Sequence, residues 1–178
     1  IVVSLASVVM AVPIAWLTVL TDLPLRGVWT VLTMLPLVIP SYVFGFLIVV
    51  FLGPRGMVQQ FLESWMGTER LPEIYGFFGA ALVLTLISYP YVLITVRAAL
   101  WRINPALEEV SQSLGGNSFR TFWRVTLPLL RPAVASGALL VGLYTLSDFG
   151  AVSLLRYETF TWAIYQQYES AFDRALAS

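Results

Sequence analysis

The sequence contains no lysine, no histidine and no cysteine, so its ten basic residues are all arginine. Each absence removes a class of chemistry. Without lysine there is no phosphate-loop lysine and no Schiff base, and without histidine there is no imidazole base. Without cysteine there is no thiolate and no disulfide, so cysteine usage says nothing about redox compartment. Zinc and haem sites built on nitrogen or sulfur ligands are excluded as well. Charge is also scarce: 11% of the 178 residues are charged, and ten acids balance the ten arginines. A net charge of zero gives no bulk attraction to nucleic acid, which is not expected as a partner.

What the chain does hold is apolar. Hydrophobic residues make up 58% of it, and the mean hydropathy is +0.82, values that point to a membrane protein. Four runs, Val2 to Leu20, Val28 to Leu52, Gly76 to Val96 and Ala133 to Leu155, approach or exceed the ~20 residues that a spanning helix needs. They do not alternate, so helices rather than barrel strands are expected. Pro13, Pro36, Pro40 and Pro90 fall inside the runs and read as static kinks in a packed bundle. Gly76, Gly79, Ala80, Gly137, Ala138 and Gly142 would let helix backbones approach closely. Between Gly53 and Tyr75, Met57, Val58, Phe61, Leu62, Trp65 and Met66 recur at helical spacing opposite Gln59, Gln60, Glu63 and Ser64, as in an interfacial amphipathic helix.

The expected fold class is therefore all-α: a polytopic transmembrane helix bundle with four spans. The chain opens at Ile1 without a methionine and stops at Ser178 inside a periodic segment, so it reads as a fragment of a longer protein, all of it one transmembrane domain. The first run lacks a basic flank and a small-residue cleavage site, which disfavours a signal peptide. Arg26, Arg97, Arg102, Arg120, Arg124 and Arg131 fall on one side of the membrane in this topology, and Arg55, Arg70, Arg156 and Arg174 on the other. The richer side is expected to be cytoplasmic.

Residues 97–132 form a polar island between two apolar runs. Asn104-Pro105 is a helix start, with a capping side chain followed by proline at the first helical position. Glu108 and Glu109 fall in or beside the first turn, where the helix dipole favours negative charge. Leu107, Val110 and Leu114 share one face. Gly115 and Gly116 supply a left-handed end, and Asn117 or Ser118 caps a second helix whose Phe119, Phe122, Trp123 and Leu127 are apolar. Pro128 is expected to stop it. Such a hairpin either joins two spans at the interface or fills a groove on a soluble partner, and composition leaves the two even.

The spacing within the island adds a resemblance. Glu109, then Gly115, then Val125-Thr126-Leu127-Pro128 resembles the E-A-A-x3-G-x9-I-x-L-P loop of binding-protein-dependent ABC importers, with Val110 and Ser111 in place of the two alanines. In that family the loop docks on the ATPase. The resemblance thus implies ATPase-docking roles for Leu107, Glu108, Glu109, Val110, Ser111, Leu114, Gly115, Phe119, Leu127 and Pro128, in a cytoplasmic helix-turn-helix coupling loop. It implies a permease subunit, not itself an enzyme, in the cell inner membrane. The implied partners are ABC ATPase subunits, a periplasmic or extracellular solute-binding protein, a second permease half or subunit, and membrane lipid. No cofactor is expected in this chain, because ATP would be bound by the separate subunit.

Ala15-Trp16-Leu17 with Thr21-Asp22-Leu23-Pro24, then Leu35 to Val43, then Leu146-Ser147-Asp148-Phe149-Gly150-Ala151 on to Ile164-Tyr165, are similar to the iron(III) branch of these permeases, which implies iron(III) as solute. Asp148 lies about sixteen residues into the fourth run, near its far end. It is either an interfacial acid hydrated at a helix end or a residue of the solute pathway. The alternative function, a secondary carrier or channel with no ATPase, would want paired intramembrane charges or inverted repeats, and neither is evident. An intramembrane enzyme would want a histidine or a Ser-Lys pair, which the chain lacks.

Overall fold

Helices make up the regular structure of the computed structural model, which describes residues 1–54, 56–66, 74–104, 106–113 and 115–170. In chain order they are α1 (Val2–Leu20), α2 (Arg26–Met34) ending in a 3-10 turn (Leu35–Val38), α3 (Ser41–Leu52), α4 (Met57–Met66) and α5 (Phe77–Leu100). Then come α6 (Ala106–Ser113), α7 (Ser118–Thr121) leading into a π-helical turn (Phe122–Thr126), α8 (Leu127–Ser147), α9 (Gly150–Leu154) and α10 (Phe160–Ser170). Among the described residues, four stretches are long and apolar enough to cross a membrane: Val2–Leu20, Ser41–Phe61, Phe77–Leu100 and Phe119–Ser147.

Two of these differ from the runs read in the sequence. The 28–52 run is not one helix, because Pro36 and Pro40 bracket a break between α2 and α3. Proline has no N–H to give to the carbonyls of the preceding turn, so the helix tightens and then ends. The fourth helix is displaced toward the N-terminus. It passes through Pro128 and Pro132 and ends at Ser147, rather than running from 133 to 155. Pro128 therefore does not stop the second helix of the island. The wider π turn just before it, closed by the Leu127 N–H donating to the Phe122 carbonyl, offsets the chain where a proline ring would crowd a regular turn.

The chain divides into two compact units, 1–35 with 88–142 and 36–87 with 143–178. In the first, α1 buries a stripe of small residues at four-residue spacing, Ser7, Ala11 and Ala15, all with no exposed surface. Ser7 Oγ lies 3.4 Å from Ser88 Oγ of α5. Gly137 of α8 sits so close to α5 that a Cβ there would stand 2.8 Å from the Val92 Cα and 2.6 Å from Thr95 Oγ1. Large apolar side chains point the other way, with Leu5 and Val9 of α1 and Leu139 and Leu140 of α8 exposed. Small residues inside and large apolar residues outside is the pattern of helices packed in lipid. The Tyr89 hydroxyl donates to the Thr33 carbonyl at 2.8 Å, one of the acceptors for which Pro36 has no donor.

In the second unit, α3 packs on α9 with Gly45 against Ala151. The Gly76 N–H donates to the Leu155 carbonyl at 2.7 Å, and Val152 and Leu155 are fully buried. Asp148 lies outside the spanning helices. It is 8% exposed and lies in the break between α8 and α9. Its Oδ1 accepts the Ala151 N–H at 3.0 Å, and its carbonyl accepts the Thr161 hydroxyl at 3.0 Å. The early end of α8 puts the carboxylate where it caps the first turn of α9. Phe149, Trp162 and Tyr165 stack with centroid separations of 5.1 to 6.1 Å beside a cavity of about 500 Å³.

The contact at Gly137 generates a prediction. Gly137→Leu should destabilise the protein by about 1–3 kcal/mol or more, because the Val92 backbone as well as the Thr95 side chain meets the new atoms. Thermal unfolding of the purified protein in detergent checks this, and an unchanged midpoint would remove the close α5–α8 approach from the account.

Candidate docking site

The island folds as a hairpin whose geometry follows from its caps. Asn104 Oδ1 accepts the Ala106 N–H at 3.0 Å and starts α6. Ser113 Oγ donates to the Val110 carbonyl near the other end. Gly115 then takes φ +84°, the left-handed conformation that costs a side-chain-bearing residue ~1 kcal/mol or more. The Gly116 N–H reaches back five residues to the Ser111 carbonyl at 3.0 Å, the long bond of a Schellman-type end. Asn117 Oδ1 accepts the Arg120 N–H at 2.8 Å and starts the second helix, which settles the choice between Asn117 and Ser118 for Asn117.

Two further contacts stiffen the hairpin. Ser111 Oγ and Thr121 Oγ1 are hydrogen-bonded at 2.8 Å, joining α6 to α7. Gly116 lies under that bond, and a Cβ there would fall 2.7 Å from the Ser111 carbonyl oxygen. Beyond α7, Phe122 is 9% exposed and packs on Trp16 of α1 with centroids 5.3 Å apart. Thr126 is fully buried. The hairpin is thus tied both across its turn and to the first helix.

Its other face is apolar and open. Leu107 and Val110 on α6 are 46% and 56% exposed, and Phe119 and Trp123 are 65% and 54% exposed. The rings of Phe119 and Trp123 meet edge to face at 6.1 Å. Arg120 and Arg124 stand exposed among them. Large apolar side chains held out on a stiff, arginine-bearing hairpin make a surface suited to a groove in another protein.

The residues singled out in the sequence separate on this geometry. Leu107, Val110 and Phe119 are on the open face. Ser111 turns inward to Thr121, Gly115 forms the turn, and Leu127 and Pro128 are half-buried in α8. Glu108 and Glu109 belong to α6, but their side chains, like Pro105 and Leu114, lie outside the described residues. Asp148 belongs to the other compact unit. Sequence reading did not find the Ser111–Thr121 bond or the Phe122–Trp16 contact. The hydroxyl pair left a signal in the serine that replaces a motif alanine. Among the described residues there is no cluster of three or more histidine, cysteine, aspartate or glutamate side chains able to hold a metal ion.

Apolar helices long enough to span a membrane, with an exposed hairpin before the last of them, define an all-α integral membrane protein, and the comparisons give the family. The chain belongs to the binding-protein-dependent transport system inner membrane components, whose family model matches residues 7–176. It is accordingly a multi-pass protein of the inner membrane. The Fe(3+)-transport system permease protein FbpB 2 of Haemophilus influenzae is 40% identical over 144 residues, which is 81% of this chain and 25% of that protein. The molybdenum transport system permease protein ModB of the same organism is 34% identical over 147 residues, 82% of this chain and 62% of that one. The chain therefore spans a quarter of the first relative and less than two thirds of the second. A solved bacterial ABC transporter involved in the import of the acidic polysaccharide alginate superposes with a TM-score of 0.66 over 98% of this chain and 67% of that chain. At 20% identity that likeness is one of fold.

The two glycines of the turn should differ in what they tolerate. Gly115→Val should strain φ alone, whereas Gly116→Val should instead crowd the Ser111 carbonyl and push α6 from α7, so the second should raise amide exchange across 106–121 by the larger factor. Hydrogen exchange on the purified protein checks this, and equal exchange in both variants would dissolve the proposed bracing.

Proposed function

We propose that this chain is the permease part of an ATP-driven, binding-protein-dependent importer, and that hairpin 104–128 is where an ATPase subunit docks. The observation that carries this reading is the exposed apolar set Leu107, Val110, Phe119 and Trp123 on a hairpin braced from behind by Ser111, Thr121 and Phe122. These 178 residues include no lysine and so no phosphate-loop lysine, which fits a reading in which the work of ATP hydrolysis enters from a separate subunit. Closure of that subunit would move the hairpin as a body, and the Phe122–Trp16 contact would pass the motion to α1. The helices alternate between inward-facing and outward-facing states because contacts to the ATPase and to a solute-binding protein differ between the two. On this reading the arginine-rich side, with Arg26 and Arg97 to Arg131, faces the cytoplasm. The remaining partners are a second permease half or subunit and the external binding protein.

For the solute we propose iron(III). Support comes from the 40% identity to FbpB 2 and from the LSDFGA segment at Leu146 to Ala151. The likeness to ModB favours a molybdenum oxyanion as second reading. Asp148 is engaged in capping α9, so we assign it to holding that turn rather than to binding solute.

Uptake by cells that carry the intact transporter as their only such system separates the readings. Radioactive iron(III) should accumulate in an ATP-dependent manner, and radioactive molybdate should not. Molybdate accumulation without iron would overturn the iron assignment and leave the importer; uptake that persists when the ATPase subunit is deleted would overturn the importer.

A further inference from the structure

Arg97, one turn before the end of α5, is 7% exposed. Its Nη2 donates to Thr30 Oγ1 of α2 at 3.2 Å, and its guanidinium carbon lies 5.4 Å from the centroid of the Trp101 ring. Nε and Nη1 are buried with no acceptor among the described residues. A guanidinium does not shed its proton, so the charge stays. A buried donor left without an acceptor costs roughly 1–3 kcal/mol, and more when charged. Thr30 offers no further help, since its hydroxyl already donates to the Arg26 carbonyl at 2.8 Å.

The surroundings say what kind of acceptor is missing. Arg26, one turn before Thr30 on α2, and Arg102, next after Trp101, are exposed and add positive charge at the same end of the helices. Trp101 is 69% exposed at the end of the span, the level at which indole rings sit between water and lipid. Helix α2 has no buried residue, and its Val28, Trp29, Val31 and Leu32 are all exposed. A free oxyanion would use the arginines and leave that apolar face bare, whereas a phospholipid uses both.

We propose that Arg97, Thr30 and Trp101 form a seat for the phosphate group of an acidic membrane phospholipid, with its acyl chains along the exposed apolar side of α2. The buried guanidinium gains its missing acceptor when the exposed Trp101 ring turns off it to cover the headgroup, and Arg26 and Arg102 favour an acidic over a zwitterionic lipid. The lipid would then hold α2 against the end of α5, next to the start of the hairpin.

Native mass spectrometry of the intact transporter, released into mild detergent from membranes of phosphatidylglycerol and phosphatidylcholine, tests this. The wild-type protein should retain phosphatidylglycerol, and an excess of inorganic phosphate should not displace it. Arg97→Gln should weaken that retention about tenfold or more, as expected for loss of a charge-assisted contact. Trp101→Ala should weaken it less, and because its side chain is exposed it carries the test should Arg97→Gln fail to insert. Equal retention in wild type and both variants would overturn the proposal. So would equal retention of phosphatidylcholine, displacement by inorganic phosphate, or a protein carboxylate found on Arg97 in the assembled transporter.

Discussion

In a bilayer no water is at hand to satisfy a backbone group, so every helix break must be closed by the protein itself. Much of this structure follows from that constraint. Where Pro36 withholds its N–H, the Tyr89 hydroxyl reaches the Thr33 carbonyl. Where α8 ends, Asp148 takes the Ala151 N–H and Thr161 takes the Asp148 carbonyl. Where Pro128 and Pro132 enter a helix, a π turn precedes them and the helix continues. Interrupted helices are thereby held in fixed shapes. The buried guanidinium edge of Arg97, with no acceptor among the described residues, stands out against this closure.

The hairpin obeys the same rule with different means. Its ends are closed by side chains, Asn104 and Asn117, and its turn by Gly115 and the bond from Gly116 to Ser111. Because polar groups are satisfied within it, its outer face is free to be apolar. A stiff element with an adhesive outer face and one aromatic tie to α1 is what force transmission between two proteins requires. A loose linker would absorb the same motion.

Local features were legible in the sequence because their causes are local. The cap at Asn104, the positive φ at Gly115 and the helix over Met57–Met66 each depend on a handful of neighbouring residues. The spans were legible as apolar mass but not as shapes. Hydropathy cannot distinguish one kinked helix from two helices and a break, so 28–52 read as continuous. Proline rules alone predicted a stop at Pro128, because a π turn is invisible to a residue count. Contacts between distant segments, Ser111 with Thr121, Phe122 with Trp16 and Arg97 with Thr30, needed the fold. The docking role was read from the motif spacing, and the fold adds that Leu107, Val110 and Phe119 are exposed.

The central claim, that an ATPase seats on the outer face of α6, can be tested at one position. The chain has no cysteine, so Val110→Cys introduces a single thiol in this chain on an exposed site. In the assembled transporter that thiol should form a short-range cross-link to the ATPase subunit, and it should react with a water-soluble maleimide far more slowly than in the permease alone. Equal maleimide reactivity in both, with no cross-link formed, would contradict the account.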